Sequence, residues 1–356
     1  MIIAVKEYKP ADITVIIAAY NEEDLIEGCL RSINEGSYPI ENINILVGSD
    51  GSDDNTVAIC EKLNEKYGNI EVFDLDRMGK NYVLNFLSKQ AKTEKLFYID
   101  ADCRPDKDAI MQLMKHLEHD EIAMVIPKLE FVVLDKNNNN TGRTGETLYQ
   151  KFENYIRVRE SRIGSTVNPF GIYALKKEAF SPYPDKSVCD DLYRNLHTIS
   201  IGKKAVYAEQ AIVTEVRKKS LTFEKNRRIR LTAGGLSTIM KFTKLLSPLK
   251  GYDALFIWSH KLLRYFLPYY LILIFIVTLL LPCGLFKILF FSLQLLLYLS
   301  AIIGWLLERS NKKIGLLKFP LFFTGMNIGF LLGSIRFFSG KQNSEWSSEG
   351  LKTDND

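Results

Sequence analysis

The run Phe97-Tyr98-Ile99-Asp100-Ala101-Asp102 carries an apolar strand directly into two carboxylates one residue apart. Two acids at a strand end repel one another unless something cationic sits with them. A hard divalent cation with oxygen ligands, manganese or magnesium, would neutralise the pair. Bridging to the phosphates of a nucleotide diphosphate, it would neutralise a leaving group as well. By itself Asp-x-Asp carries little, since it recurs by chance and here also stands in a turn before Pro105. The surrounding sequence decides its reading.

Outward from this strand, β-branched runs alternate with helical segments. Strands are expected over Ile13 to Ala19, Ile43 to Ser49, Ile70 to Asp74, Lys95 to Ile99 and Ile122 to Pro127. Between them Leu25, Ile26, Cys29, Leu30 and Ile33 recur at helical spacing. Asp53 and Asp54 stand where they would cap the helix bearing Val57, Ile59 and Leu63. The alternation predicts an α/β fold: a mostly parallel sheet flanked by helices on both faces. Such sheets bind ligands beyond the carboxyl ends of their strands. That edge would collect Tyr20, Asn21 and Glu22, then Asp50 to Asp53, then Asp100 to Asp102. The Asn137 to Asn140 run with Gly142 and Gly145 reads as a flexible loop.

The chain has 356 residues, room for one α/β domain and an accessory region. Its 47% hydrophobic content conceals a split near Leu255. Beyond that point Tyr265 to Phe286, Ile288 to Leu307 and Phe319 to Ile335 are uncharged, about 22, 20 and 17 residues against the ~20 that span hydrocarbon. The third contains Pro320, Gly325, Asn327, Gly329 and Gly333, so it either crosses while packed on neighbouring helices or is re-entrant. A formal charge of +4 gives no reason to expect nucleic acid. The positive charge gathers at Arg217, Lys218, Lys219, Lys225, Arg227, Arg228 and Arg230, just ahead of the apolar region, and again at Arg309, Lys312, Lys313 and Lys318. Both runs place the N-terminal domain in the cytoplasm of an integral membrane protein. Three full crossings would leave Arg336 and Lys341 on the far side, against the same rule. Met1 to Pro10 has no apolar signal-peptide core, and five cysteines without CxxC spacing fit a reducing cytosol. The expected organisation is a catalytic domain over 1–235, an interfacial amphipathic segment over 236–260, a transmembrane region over 261–340 and a polar tail over 341–356.

The segment Ile13-Thr14-Val15-Ile16-Ile17-Ala18-Ala19-Tyr20-Asn21-Glu22-Glu23 is followed by Asp50-Gly51-Ser52-Asp53-Asp54-Asn55-Thr56, by Gly79-Lys80 with Asn85, and by Asp100-Ala101-Asp102. Further on come Asn168-Pro169-Phe170-Gly171-Ile172-Tyr173-Ala174, Asp190-Asp191 and Gly202-Lys203-Lys204-Ala205-Val206-Tyr207. In order and spacing this resembles the family-2 glycosyltransferases of the GT-A fold, membrane-bound type with C-terminal transmembrane helices. The resemblance implies a metal-dependent, inverting transfer of sugar from a nucleotide-sugar donor, a UDP-sugar, to a lipid-linked or cell-envelope polysaccharide acceptor at a bacterial inner membrane. It implies that Tyr20, Glu22 and Asp50 hold the nucleoside, that Lys80 lies near base or phosphates, and that Asp100 and Asp102 hold Mn2+ or Mg2+, with Asp100 also touching the donor.

Asp191, the second of the paired acids, matches the family's catalytic base. Inversion needs a carboxylate opposite the departing diphosphate to take the acceptor hydroxyl's proton. Asp190 is the alternative, and the pair also reads as a double N-cap for a helix from Leu192 to Thr198. Arg227, Arg228 and Arg230 are candidates for the leaving diphosphate, with Arg230 aligned to the arginine of the family's motif, although the same run reads as a helix on anionic lipid headgroups. Two departures matter. Ser49-Asp50 replaces the paired acids many members carry there, and Arg227-Arg228-Ile229-Arg230-Leu231 lacks the Gln and Trp of Gln-x-x-Arg-Trp. Losing the Trp removes a stacking platform for a growing glycan, so non-processive transfer is expected. Three spans are few for a translocation path, which leaves room for a partner membrane subunit. Nucleotidyl transfer would need a Gly-rich, basic loop after the first strand, and Ala18-Ala19-Tyr20-Asn21 has neither. A non-catalytic scaffold would not need Asp100, Asp102, Asp190 and Asp191 together.

Overall fold

A computed structural model describes residues 8–134, 140–143, 148–184, 189–217, 221–310 and 315–340; for 133–134, 140–143, 148, 217 and 221–227 it describes the backbone alone. Strands β1 (Ile13–Ala19), β2 (Ile43–Asp50), β3 (Ile70–Leu75) and β4 (Lys95–Tyr98) run parallel, with β1 between β2 and β4. All seven residues of β1 are buried, because both faces of the sheet are covered. Ile13, Val15 and Ile17 face one core together with Ile26, Cys29, Leu30 and Ile33, the apolar stripe of α1 (Ile26–Asn34). Ile16 and Ala18 face the other, with Val83, Leu84 and Leu87 of α3 (Lys80–Gln90), numbered after α2 (Thr56–Tyr67).

Beyond β4 the sheet changes character. After β5 (Cys103–Pro105) and α4 (Ala109–Leu117) come β6 (Ile122–Leu134), β7 (Asn140–Arg143), α5 (Leu148–Ile163), β8 (Tyr173–Lys176), α6 (Asp190–Ser200) and β9 (Lys204–Arg217). The strand order is β3-β2-β1-β4-β8-β6-β9-β5, with β7 on β6. β8 is antiparallel to both β4 and β6, β9 is parallel to β6, β5 is antiparallel to β9 and β7 is antiparallel to β6. The expected parallel character therefore holds through the first four strands and returns in the β6–β9 pair, while antiparallel pairs join the rest of the sheet. The fifth expected strand continues past Pro127 to Leu134, because β9 pairs with it almost throughout. Asn140 and Gly142, expected in a loop, form part of β7: pairing to β6 overrides their poor strand propensity. Residues 135–139 and Gly145 lie outside the described residues.

Contacts divide the chain into two compact units, one of residues 8–217 with Thr238–Ile257, the other of Leu221–Ser237 with 258–340. α7 (Leu221–Lys241) spans that boundary, and α8 (Tyr252–Phe256) passes through a π-helical turn at Ile257–Leu262 into α9 (Leu263–Leu280). α10 (Leu285–Arg309) and α11 (Lys318–Phe338) follow. Three helical stretches, Tyr252–Leu280, Leu285–Arg309 and Gly315–Phe338, of 29, 25 and 24 residues, are long and apolar enough to cross a membrane. The first ends at Leu280 rather than running on to Phe286, since Pro282 and Gly284 break it. Lys287 then donates from Nζ to the carbonyls of Leu279 and Leu281, 2.9 Å each, which serves acceptors a helix end leaves open. The third stretch is one unbroken helix rather than a re-entrant pair. Pro320 sits in its first turn, where an N–H has no intrahelical partner to lose. Gly333 lies against α7, where a Cβ would fall 2.6 Å from Thr232 Cβ. Lys312 and Lys313 lie outside the described residues.

Candidate active site

Asp50 ends β2 fully buried, and its Oδ1 accepts the backbone N–H groups of Met78 and Gly79, both at 2.8 Å. Its Oδ2 accepts from Arg77 Nη1 at 2.5 Å. A buried carboxylate is tolerated when its lone pairs are so occupied. Gly51 follows at φ +68°, and a Cβ there would meet Arg77 N at 3.0 Å, so both backbone conformation and space call for glycine. The Arg77 guanidinium also covers the Tyr20 ring, 3.3 Å from its centroid. Tyr20, Asp50 and Arg77 thus form one cluster of aromatic face, acceptor and cation at the edge where a nucleoside was expected. Arg77 sits in an aperiodic loop, and no sequence pattern marked it.

The loop after β1 is latched to the one after β2. Asn21, at φ 55°, donates from Nδ2 to Asp53 Oδ1 (2.6 Å) and accepts from Asp53 N (3.0 Å). Thr56 Oγ1 accepts the Glu22 N–H at 2.8 Å. Of the two acids expected to cap α2, Asp54 receives the Thr56 N–H at 2.9 Å while Asp53 turns to Asn21 instead; the N-cap position itself is Asn55. Burial, reinforced by Asp100 and Asp54 and opposed by Lys80, pushes the Glu22 carboxyl up to about 7.

Lys80 opens α3 with its side chain 19% exposed, and its Nζ stands 2.7 Å from Asp100 Oδ1 and 3.5 Å from Asp190 Oδ2. Burial disfavours its charge, but Asp100, Asp190 and Asp102 outweigh burial and push the ammonium's pKa up. Asp100 is raised by burial, with Lys80 opposing and Asp190 and Glu215 adding to the rise. Asp102 is raised well above the carboxylate range by burial, then by Glu215 and Asp100. Its Oδ1 accepts a weak hydrogen bond from Cys103 Sγ at 3.1 Å. Glu215 stands on β9 opposite Cys103 of β5, a juxtaposition made only by strand pairing. Gly171, in the segment from Asn168 to Ala174, lies so close that a Cβ would be 3.1 Å from Asp100 Oδ2 and 3.9 Å from Lys80 Nζ.

Asp190 and Asp191 form the first turn of α6, where negative charge suits the helix dipole. Neither is its N-cap, which is Cys189; Asp191 Oδ1 accepts the Leu192 N–H at 2.6 Å, while Asp190 reaches Lys80. Hydrogen bonds and ion pairs therefore join Lys80, Asp100 and Asp190, and separately Asp50 with Arg77. Arg227 and Arg230 belong to α7 in the other compact unit, and the Arg227 side chain lies outside those described.

Burial, Glu215 and Asp100 make the ionised form of Asp102 costly without a cation, and its donors are hard oxygens, so Asp100 and Asp102 fit a divalent cation. Among the described residues no three His, Cys, Asp or Glu side chains are grouped to hold a metal by themselves. The pair would be a partial ligand set.

Residues 14–183 match the family described as Glycosyl transferase family 2. The chain carries a family-2 glycosyltransferase domain. The matched residues include Tyr20, Glu22, Asp50, Lys80, Asp100 and Asp102 and stop short of Asp190. The family-2 domain has relatives of two kinds. The probable glycosyltransferase YdaM of Bacillus subtilis is 25% identical over 308 residues, 83% of this chain and 70% of that protein, a match long enough to run into the apolar helices. Poly-beta-1,6-N-acetyl-D-glucosamine synthase of Staphylococcus aureus is 29% identical over 171 residues, 47% of this chain and 40% of the synthase. The chain thus matches between 40% and 70% of the length of such relatives. A mannosyltransferase of Pyrobaculum calidifontis, PcManGT, solved with GDP-Man and Mn2+, superposes with a TM-score of 0.69 at 19% identity, covering 94% of this chain and 89% of that one. The family-2 domain has the GT-A fold, followed by three helices of membrane-spanning length.

Proposed function

We propose that this protein is a membrane-bound, inverting glycosyltransferase that moves a sugar from a nucleotide-sugar donor, a UDP-sugar, to a lipid-linked or cell-envelope polysaccharide acceptor on the cytoplasmic face. The observation that carries this reading is Lys80, which stands at one strand edge between the donor-side acid Asp100 and Asp190 of the acid pair. Tyr20 offers the nucleobase a π face, with Glu22 beside it, and Asp50 reaches the base on exchanging Arg77, which holds its Oδ2 in the donor-free chain. Bound by Asp100 and Asp102, Mn2+ or Mg2+ would supply charge neutralisation for the diphosphate. Lys80 orients Asp100 and adds a fixed positive charge on the same side.

On the acceptor side, Asp191 takes the hydroxyl proton onto its carboxylate in this reading, a role supported by its match to the family's base and by the ion pair of Asp190 with Lys80. Arg227 and Arg230 are retained for the leaving diphosphate on the family resemblance alone. The acceptor class draws on the synthase relative and the three apolar helices. Non-processive transfer draws on the missing Gln and Trp, and a partner membrane subunit on the small number of spans.

Purified full-length protein in detergent, screened against nucleotide sugars, is expected to turn over a UDP-sugar with Mn2+ or Mg2+ and to stop on chelation. Asp191→Asn is expected to lower kcat at least ~100-fold, the contribution of a general base. Absence of turnover with every donor and both cations would sink the reading. Full activity in Asp191→Asn would remove that residue's role alone.

A further inference from the structure

Arg194 lies on α6 with 0% of its surface exposed, beyond the residues that match the family. It sits one turn beyond Asp190. A buried guanidinium is costly unless paired, and among the described residues no carboxylate stands within ion-pair distance of it. Its compensation comes from backbone and rings. Nη2 donates to Ser181 O at 2.7 Å and Nη1 to Ala179 O at 3.3 Å. The guanidinium carbon lies 4.7 Å from the Phe180 ring centroid and 4.6 Å from that of Tyr183. Nε has no partner. An apolar side chain of similar volume would fill this space without the desolvation cost, so the charge is there for what it holds.

What it holds is the strap 179–183, whose far end is tied to α3. Asn85 Nδ2 donates to Tyr183 O at 2.9 Å, and Asn85 Oδ1 accepts the Tyr183 N–H at 2.8 Å. Tyr183 OH also bonds Tyr173 OH on β8, and the Tyr173 ring stacks on Tyr98 of β4 at 4.7 Å. A continuous set of contacts thus runs from α6 through the strap to α3 and down to the sheet. The first residue of α3 is Lys80 and the first of α6 is Asp190, and these two ends meet at 3.5 Å.

We propose that Arg194 is a positioning residue for the transfer reaction: by clamping the strap to α6 it fixes the Asp190–Asp191 turn in register with Lys80 and Asp100. Lysine cannot replace it, since one ammonium does not reproduce a planar fork that spans two carbonyls while stacking on rings. Nucleoside binding at Tyr20 and Asp50 does not pass through the strap, so Arg194 acts on turnover and not on donor affinity.

This inference rests on the glycosyltransferase reading, and the wild-type protein serves as its control: absence of wild-type turnover defeats that reading, while turnover insensitive to the strap defeats only this one. Arg194→Met keeps the volume and removes the charge. In full-length protein whose folding is verified by apparent Tm and gel filtration, it is expected to lower kcat at least ~100-fold with donor KM within about threefold, the loss of an interaction made in the transition state. Arg194→Lys is expected to recover no more than about a tenth of the wild-type kcat. A kcat within about threefold of wild type in Arg194→Met, or a fall in kcat matched by an equal rise in KM, would overturn the proposal. If Arg194→Met does not fold, Asn85→Ala decides from the other end of the strap: a kcat-selective loss supports the clamp and an unchanged kcat overturns it.

Discussion

Glu22 shows how one buried side chain makes the domain sensitive to pH. Its carboxyl is pushed up to about 7, first by burial and then by Asp100 and Asp54, against an ordinary value of 4.5. Between these two values the folded chain holds a proton that the unfolded chain has released, so the residue's contribution to stability falls as pH rises across that window. Glu22→Gln stays neutral throughout. In donor-free, chelator-treated protein, its apparent Tm is expected to exceed the wild type's by a few degrees at pH 8 and to converge with it at pH 5. Parallel Tm-against-pH curves for the two proteins would contradict the cause assigned here. Glu22, Asp50, Asp100 and Asp102 were legible in the sequence because each follows directly on an apolar strand, and a strand has only one carboxyl end. Arg77 and Glu215 were not. Arg77 enters through the ring of Tyr20 and the carboxylate of Asp50, and Glu215 through the pairing of β5 with β9, contacts that exist only once the chain has folded.

At the scale of elements, the site depends on how closely α3 approaches the sheet, because α3 carries Lys80 at its first position. Gly48 in β2 sets that approach. A Cβ there would fall 2.4 Å from Val83 Cγ1 and 3.2 Å from Leu87 Cδ1, and both side chains are fully buried. Gly48→Ala is expected to destabilise the domain by ~1–3 kcal/mol through overpacking. Val83→Ala in the same chain should return part of that loss, so that the double variant falls short of additivity by about 1 kcal/mol or more. Apparent Tm values of the two single variants and the double test this, and strict additivity would place the strain elsewhere. The parallel strands β1 to β4 and the stripe of α1 were readable because continuous apolar runs and helical spacing are local signals. β5 has three residues and β8 four, too short for alternation to register. Strand β7 owes its existence to β6. The halves of this sheet therefore differ in what specifies them, propensity and pattern in one and pairing partners in the other.

For the whole molecule, the exposed apolar surface of α9, α10 and α11 supports the proposed placement in a membrane. Leu273, Leu285, Leu296 and Phe319 are each more than half exposed, which a water-facing helix bundle would not sustain. The proposed orientation, with the family-2 domain in the cytoplasm, follows from basic residues ahead of α9 and between α10 and α11. It sends α9 outward, so the turn at 281–284 emerges on the opposite side. Cys283 lies in that turn and is exposed, whereas Cys29, Cys60, Cys103 and Cys189 are buried. One native thiol therefore reports the topology without any engineered site. A membrane-impermeant maleimide applied to intact spheroplasts is expected to label the chain, and Cys283→Ser is expected to abolish that labelling. Labelling that appears only after permeabilisation would invert the orientation. A chain inserted that way would hold Asp100, Asp102 and Lys80 on the side away from the cytoplasmic nucleotide sugars, so the same measurement bears on the donor as well as on the fold's placement in the membrane.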